Sequence, residues 1–204
     1  MTGWRPPARN AAPYLSRRTA FSPCRGGPPC PPARNEGDAV NNIINPNSYP
    51  RRKWLRLETF DYSDPDHVYF VTLCARHLSS PFADSGLASA IVDALLYRSR
   101  TGAWKLYAYV LMPDHLHAAL SPVDNGRTVS ELVRDFKTYT TRIGWEHGVR
   151  GALWQRGFYD HVARREQSLL AICEYILANP VRKGLETDLG RWPFAGMPDP
   201  LPLG

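Results

Sequence analysis

The feature that most constrains the fold is residues 104–122, WKLYAYVLMPDHLHAALSP, in which two apolar segments flank a Pro-Asp turn. This pattern predicts two paired β-strands joined by a tight turn. Because successive side chains of a strand point to opposite faces, His115 and His117 project together while Leu116 takes the other face. Two neighbouring imidazoles can bind one divalent metal ion. An H-x-H pair also arises by chance, so a metal site requires a third ligand and a reaction.

The apolar periodicity of the remaining chain predicts strands and helices on either side of this hairpin. In chain order the predicted elements are a strand His67–Ala75, a helix Gly86–Arg100, the strands Trp104–Met112 and His115–Ser121, a helix Thr128–His147, an extended segment Leu153–Val162 and a helix from Arg165 or Glu166 to Ala178. Asn179-Pro180 is predicted to end the last helix, since proline disfavours helical geometry in the residue before it. This order is typical of an α+β sandwich of ferredoxin-like type, an antiparallel sheet with helices packed on one face.

The first 50 residues differ in composition from the rest. They hold ten of the 19 prolines, four glycines and almost no periodic apolar pattern. Such a segment cannot bury enough apolar surface to offset the entropy lost on ordering, so we predict that it is disordered. We therefore predict a folded domain over residues 51–198, followed by a short tail at 199–204.

The charge of the chain is unevenly distributed. The formal net charge is +6. Residues 1–50 contribute +4 of it, because they contain six arginines and only two acidic residues, Glu36 and Asp38. The body is nearly balanced, so nucleic-acid binding there requires local basic patches. The side chains that we predict to contact nucleic acid are Arg51, Arg52, Lys53, Arg134, Lys137, Arg142, Arg156, Arg182 and Lys183. A solvated entry strand also explains the first three, and a solvated helix face the next three.

The cysteines favour a reducing setting, and the lengths of the apolar runs bear on membrane insertion. We expect a cytoplasmic, nucleoid-associated protein. Cys74 and Cys173 lie within apolar runs and are typical of buried thiols rather than of a disulfide framework. No apolar run approaches the roughly 20 residues that a membrane-spanning helix needs. We therefore expect no membrane partner.

The last predicted helix carries a tyrosine outside its apolar stripe. On a helical wheel the stripe consists of Leu169, Leu170, Cys173, Ile176 and Leu177, whereas Tyr175 lies among Ser168, Ala171, Ala178 and Asn179. This position predicts an approachable hydroxyl and makes Tyr175 the candidate nucleophile. The alternative nucleophiles are Tyr159, Tyr139 and Tyr109.

A tyrosine that meets the histidine face can carry out phosphoryl transfer. A metal ion held by His115 and His117 can polarise a phosphodiester oxygen and offset the charge of the transition state. The tyrosine hydroxyl can then attack phosphorus and leave a covalent phosphotyrosine, which conserves the bond energy for rejoining. Asn179, one turn after Tyr175, is the candidate third ligand, and an amide oxygen fits Mg²⁺ or Mn²⁺.

These residues carry a resemblance to a known family. His115-Leu116-His117 after a Met-Pro-Asp turn resembles the HUH motif (His, bulky apolar, His) of the single-tyrosine transposases. The segments LWQRGFYDH at 153–161 and EYILANPVRKGL at 174–185 are similar to the REP-associated tyrosine transposases. Trp192-Pro193-Phe194 also resembles a Trp-Pro-x-Ser pattern of that family, with Ala195 in the place of the serine. The resemblance spans about residues 54–195.

The resemblance implies a metal-dependent, single-strand DNA endonuclease and strand transferase. It implies that Tyr175 is the nucleophile, that a 5′-phosphotyrosine and a 3′-hydroxyl form, and that His115, His117 and Asn179 hold the metal. The implied substrate is single-stranded or hairpin DNA of repetitive extragenic palindromes, with no small-molecule cofactor, for a monomer or homodimer. Two other interpretations stay open: a non-catalytic DNA-binding module of the same fold, and a metal-dependent phosphoesterase acting on small molecules or RNA.

Overall fold

The computed structural model describes residues 63–76, 80–123, 126–163 and 166–201, with the backbone alone at 159–163 and 166–168. The segment 1–50 and the basic residues Arg51, Arg52 and Lys53 lie outside this part of the chain. The predictions of disorder and of nucleic-acid contact made for them therefore stay predictions.

Five strands form one antiparallel sheet in the order β4-β1-β3-β2-β5. They are β1 (Val68–Cys74), β2 (Trp104–Met112), β3 (His115–Pro122), β4 (Tyr159–Ala163) and a two-residue β5 (Ala195–Gly196). The predicted hairpin is confirmed, since β2 and β3 pair from Met112 and His115 onward across the Pro-Asp turn. Every residue of β1 and β3 is buried, so both faces of the sheet are covered.

Helices cover the two faces of the sheet. The α1 helix (Ser85–Arg100) and the α2 helix (Val129–Glu146) pack on the face that carries Leu73 and Leu116. The α3 helix (Glu166–Arg182) packs on the other face, against Phe70 and Val110. The α+β class and the antiparallel sheet are confirmed, but the helices do not all lie on one face, because β1 and β2 carry apolar side chains on both. None of the helices in the described part is long and apolar enough to cross a membrane.

Two neighbouring residues of α2 differ in burial. Tyr139 is 50% exposed, whereas Thr140 is fully buried. The Thr140 hydroxyl donates to the Phe136 carbonyl oxygen at 2.7 Å and accepts from Trp154 Nε1 at 2.8 Å. Because both hydrogen bonds are made inside the core, the hydroxyl is buried without an unsatisfied polar group.

The α3 helix runs four residues past its predicted end and contains Pro180. It ends in a Schellman motif, in which Leu185 N donates to the Pro180 carbonyl oxygen and Gly184 N donates to that of Val181, both at 2.9 Å. Gly184 has a φ of 66°, which a residue with a side chain rarely adopts. The glycine, and not the proline, therefore sets the end of this helix.

The segment after α3 returns along β2. Trp192 Nε1 donates to the Leu111 carbonyl oxygen at 2.9 Å. Asp199, which the sequence placed in a tail, accepts from Leu106 N at 2.7 Å and from the Ser99 hydroxyl at 2.6 Å. Packing therefore continues past residue 198.

Candidate metal and tyrosine site

The histidine pair lies at the start of β3, on the face that α3 covers. The His115 and His117 Nε2 atoms are 3.1 Å apart, and the two rings meet at 76°. Two nitrogens that each lie about 2.1 Å from one ion, at an angle of about 95°, are separated by about 3.1 Å. The pair therefore has the spacing required of two nitrogen ligands to one metal ion.

The other ring nitrogen of each histidine has an oxygen partner. His115 Nδ1 lies 2.6 Å from Asp114 Oδ1, and His117 Nδ1 lies 2.8 Å from Thr72 Oγ1. Thr72 is on β1, directly opposite His117 in the strand register. Outer contacts of this kind orient the histidines of metal sites. Both rings are thus turned so that Nε2 faces the other ring.

Burial keeps His117 neutral. Desolvation lowers the pKa of His117 well below the usual 6.5, and the charges of His115 and Lys183 lower it further. Phe70 stacks on the ring with centroids 5.2 Å apart and excludes water from that side. Because a metal binds the neutral form of histidine, His117 is ready to act as a ligand at neutral pH.

Tyr175 lies beside the histidine pair, but the prediction that it sits off the apolar face is wrong. It is 9% exposed and belongs to the core between the sheet and α3. Its ring centroid is 6.0 Å from that of Phe70 and 6.1 Å from that of His117. The guanidinium carbon of Arg182 lies 4.8 Å from the Tyr175 ring centroid. The tyrosine is therefore held between the histidine face and an arginine.

The helical-wheel prediction for α3 was wrong because it assigned the wrong residues to the buried stripe. The buried positions among the described side chains of α3 are Leu169, Ile172, Cys173, Tyr175, Ile176, Asn179 and Pro180. Leu170, which was assigned to the stripe, is 45% exposed. Ile172, which was not assigned to it, is buried and rotates the covered face toward Tyr175. Apolar residues flank the true stripe on both sides, so only packing against the sheet decides the rotation.

Asn179 is buried one turn after Tyr175. Its Nδ2 donates to the Tyr175 carbonyl oxygen at 2.8 Å, which leaves the amide oxygen as the atom suited to a hard cation. Its role as a third ligand stays a prediction. Within the described residues no group of three or more His, Cys, Asp or Glu side chains is arranged to hold a metal.

Five of the cations assigned to nucleic acid are exposed: Arg134, Arg142, Arg156, Arg182 and Lys183. Two of them adjoin the site. Arg182 covers the Tyr175 ring, and Lys183 is close enough to lower the pKa of His117. Contact with nucleic acid stays a prediction for all five.

Lys137 has a different environment. Its Nζ donates to the carbonyl oxygens of Gln155 at 2.5 Å and Gly157 at 2.6 Å. Burial lowers the pKa of Lys137 to about 8. Gln155 N in turn donates to the Cys74 carbonyl oxygen at 2.9 Å, so this lysine ties α2 to the segment beside the end of β1. These two hydrogen bonds engage the ammonium that was predicted to contact nucleic acid.

The alternative nucleophiles are placed less favourably where their side chains are described. Tyr109 lies in the core between the sheet and α1 and α2, and burial raises its pKa to about 12. Tyr139 is exposed on α2. Both are on the side of the sheet opposite the histidine pair. The backbone of Tyr159 pairs with Thr72, and its side chain lies outside the described part.

The sequence did not reveal three residues that shape the site, namely Thr72, Asp114 and Phe70. The sequence could have indicated a contact between Asp114 and His115, because the two residues are adjacent. Thr72 and Phe70 had none, since they reach His117 only through the pairing of β1 with β3.

The chain is similar to known proteins in sequence and in fold. The family model for IS200-like transposases matches residues 66–179. An uncharacterized protein of Haemophilus influenzae is 24% identical over 166 residues, which are 64% of this chain and 88% of that protein. The REP-associated tyrosine transposase of Escherichia coli is 25% identical over 103 residues, which are 50% of this chain and 59% of that protein.

A solved structure of a REP-associated tyrosine transposase bound to a REP hairpin has the same fold. The TM-score is 0.54 at 23% identity, and the match covers 68% of this chain and 81% of the other. The predicted resemblance to REP-associated tyrosine transposases is thus confirmed. The family match extends from Asp66, two residues before β1, to Asn179 and includes His115, His117 and Tyr175. The chain belongs to the family of IS200-like transposases.

Proposed function

We propose that this protein is a metal-dependent, single-stranded DNA endonuclease and strand transferase that cleaves beside palindromic hairpins through a 5′-phosphotyrosine. The observation that carries the proposal is the position of Tyr175. Its ring packs against His117, whose Nε2 lies 3.1 Å from that of His115. Membership of the transposase family supports a transposase-like function, and the site supports this route to it.

The proposed ion is Mg²⁺ or Mn²⁺, held by His115, His117 and the amide oxygen of Asn179. The residues fit such an ion, because the two Nε2 atoms have the required spacing and both Nδ1 atoms have oxygen partners. When bound, the ion supplies positive charge that polarises a phosphodiester oxygen. The chain itself keeps the site dry, since both histidines are at most 5% exposed.

In the proposed step, the Tyr175 hydroxyl oxygen attacks phosphorus. The bond from phosphorus to the 3′-oxygen breaks, and the phenol proton ends on that oxygen as a 3′-hydroxyl. Arg182 and Lys183 lie beside the tyrosine and His117, where their charges favour a phosphate group. The same step in reverse, with another 3′-hydroxyl as nucleophile, joins the held 5′-phosphate to a new strand.

The proposed substrate is single-stranded DNA next to a hairpin. The hairpin bound in the related structure supports this choice, and the exposed arginines Arg134, Arg142 and Arg156 supply charge for phosphate contacts. We propose that the protein acts on this DNA as a monomer or homodimer, in the cytoplasm and at the nucleoid.

The test mixes the protein with labelled palindromic hairpins from its own genome, with Mn²⁺ or with a chelator, on a denaturing gel. We expect a metal-dependent band shifted by the mass of the protein. Tyr175→Phe should remove this band and leave hairpin binding nearly unchanged. Tyr139→Phe, on the opposite side of the sheet, is the matched control and should cleave normally. Full cleavage by Tyr175→Phe would refute the assignment.

A second candidate is a hairpin-binding protein of the same fold that does not cleave. The burial of Tyr175 favours it, because a phosphate must reach a hydroxyl whose residue is only 9% exposed. Tight binding without a covalent band on any hairpin would support this candidate. Metal-dependent cleavage without a covalent band would instead support a phosphoesterase.

A further inference from the structure

We propose that Trp145, Arg142 and Arg150 form a binding platform for the single-stranded flank of the DNA, in which Trp145 stacks on an unpaired base and the two arginines contact the adjoining phosphates. We call these three residues the α2 platform. The inference rests on the proposed function, because it names a second place at which the same DNA substrate is held.

Trp145 is a large aromatic residue that is exposed and nevertheless fixed in orientation. It lies near the end of α2 and is 55% exposed. Its Nε1 donates to the Gly151 carbonyl oxygen at 2.7 Å, which holds the indole against the loop 147–152 that follows the helix. A base that stacks on this ring meets a surface whose orientation is already set, so little side-chain freedom is lost on binding.

Two exposed arginines flank this ring. Arg142 lies three residues before Trp145, so the two side chains are neighbours on one face of the helix. Arg150 lies in the loop, next to the glycine that Trp145 binds. Within the part of the chain that the structure describes, neither arginine forms an ion pair with a carboxylate. Their charges are therefore available to an anion such as a DNA phosphate.

The neighbouring acidic side chains have other surroundings. Glu146 directly follows Trp145, but it lines the groove between α1 and α2 together with Asp93. Asp135, nearer the start of α2, is paired with Arg127. The platform itself therefore carries positive charge, which favours a nucleic acid as its partner. A second copy of this chain that docked through the same platform would bring like charges together.

The platform is tied to the end of the sheet that carries the histidine pair. The loop after α2 continues into the segment 153–157, in which Gln155 N donates to the Cys74 carbonyl oxygen at 2.9 Å. Cys74 lies opposite His115 in the strand register. Arg156 supplies a further exposed cation within this connecting segment. A DNA flank that leaves the histidine pair can therefore follow these cations to the α2 platform.

The experiment measures hairpin affinity by fluorescence anisotropy, with the full chain, a chelator and a labelled palindromic hairpin that has a single-stranded flank on each side. Trp145→Ala should weaken binding roughly 5- to 150-fold, as expected for the loss of one stacked base. Trp145→Phe keeps a ring without the Nε1 donor and should bind within about 3-fold of wild type. Tyr97→Ala is the matched control, since it removes a 61% exposed ring from the groove between α1 and α2, and should bind like wild type.

Modified DNA and the two arginines test the remaining contacts. Abasic sites placed one at a time in the flanks should reveal one position that weakens binding to the wild type and has no further effect in Trp145→Ala, because both changes remove the same contact. Arg142→Met and Arg150→Met should each flatten the slope of log K against log salt concentration by about 0.7, the value for one phosphate contact of a single strand.

Wild-type affinity in Trp145→Ala would overturn the inference. An equal loss in Trp145→Phe and Trp145→Ala would overturn it too, because the hydrogen bond to the loop would then be the cause. A wild-type dimer that Trp145→Ala converts to a monomer in sedimentation velocity, with unchanged DNA affinity, would assign the platform to a second copy of the chain and overturn the inference.

The outcome is separable from that of the proposed function, since binding is measured without metal and without cleavage. A protein that shows the expected losses of affinity but forms no covalent adduct supports the inference and contradicts the nuclease. Adduct formation together with unchanged affinity in Trp145→Ala does the reverse.

Discussion

Replacing Lys137 with methionine tests whether this residue serves the fold or the nucleic acid. The ammonium donates to the carbonyl oxygens of Gln155 and Gly157, at 2.5 and 2.6 Å. Methionine has nearly the same length and no donor, so both carbonyls lose their partner. The segment 153–157 is then held to α2 by the hydrogen bond from Trp154 to Thr140 and by the packing of Trp154 on Phe136. We expect a clear loss of stability in Lys137→Met.

The expected loss of stability follows from the number of these hydrogen bonds and from their exposure to solvent. Hydrogen bonds from a charged donor contribute about 1.5–3 kcal/mol each, so two intact bonds amount to about 3–6 kcal/mol. Gln155 and Gly157 are only half-buried, which lets water bind their carbonyls after the substitution. Removal of the ammonium also ends the cost of burying a charge whose pKa is lowered to about 8. We therefore expect the free energy of unfolding to fall by about 2 kcal/mol, or the Tm to fall by roughly 4–8 °C for a domain of this size.

The assay is urea unfolding followed by tryptophan fluorescence, together with hairpin binding followed by fluorescence anisotropy. Arg142→Met is the matched control, since it removes an exposed cation from the same helix. It should leave the unfolding midpoint within about 0.5 kcal/mol of wild type, and should weaken DNA binding if that helix face meets phosphates. A Lys137→Met protein that unfolds like wild type and binds DNA more weakly would contradict the structural role and identify Lys137 as a phosphate contact.

Two further predictions concern stability. His117 has a pKa below its unfolded value, so the unfolded chain binds the extra proton first. The metal-free protein should therefore lose stability as the pH falls below about 6.5, by at most about 1.4 kcal/mol per pH unit. Urea midpoints at pH 7 and 5.5 in chelator test this, and a wild-type slope no steeper than that of His117→Gln would contradict it. Thr140→Val leaves Trp154 Nε1 buried without an acceptor and should cost about 1–3 kcal/mol. Thr138→Val, at an exposed position of the same helix, should cost under about 0.5 kcal/mol, and equal losses in the two variants would show that the Trp154 contact is not the cause.

The sequence alone determined the local parts of this protein. Two apolar segments around a Pro-Asp turn predicted the hairpin. The alternation of side chains along a strand predicted the shared face of His115 and His117, because strand geometry depends only on neighbouring residues. The start of α2 at Thr128 was predicted as well, and in the structure Thr128 and Glu131 form a capping box within one turn. The end of α3 was predicted from Asn179-Pro180, whereas the helix continues through the proline and ends at the Gly184 cap.

Only the tertiary structure decided which surfaces meet. The sheet is apolar on both faces, so no periodicity could show that α3 covers the face opposite α1 and α2. The rotation of α3, which buries Tyr175 and exposes Leu170, is set by packing against β2 and β3. Thr72 and His117 are 45 residues apart along the chain and meet only because β1 pairs with β3. The sequence predicted Lys137 to be an exposed cation of α2. Only the fold brings the carbonyl oxygens of Gln155 and Gly157 to its ammonium. Sequence patterns report local geometry, whereas a site built from β1, β3 and α3 depends on long-range contacts that local patterns do not encode.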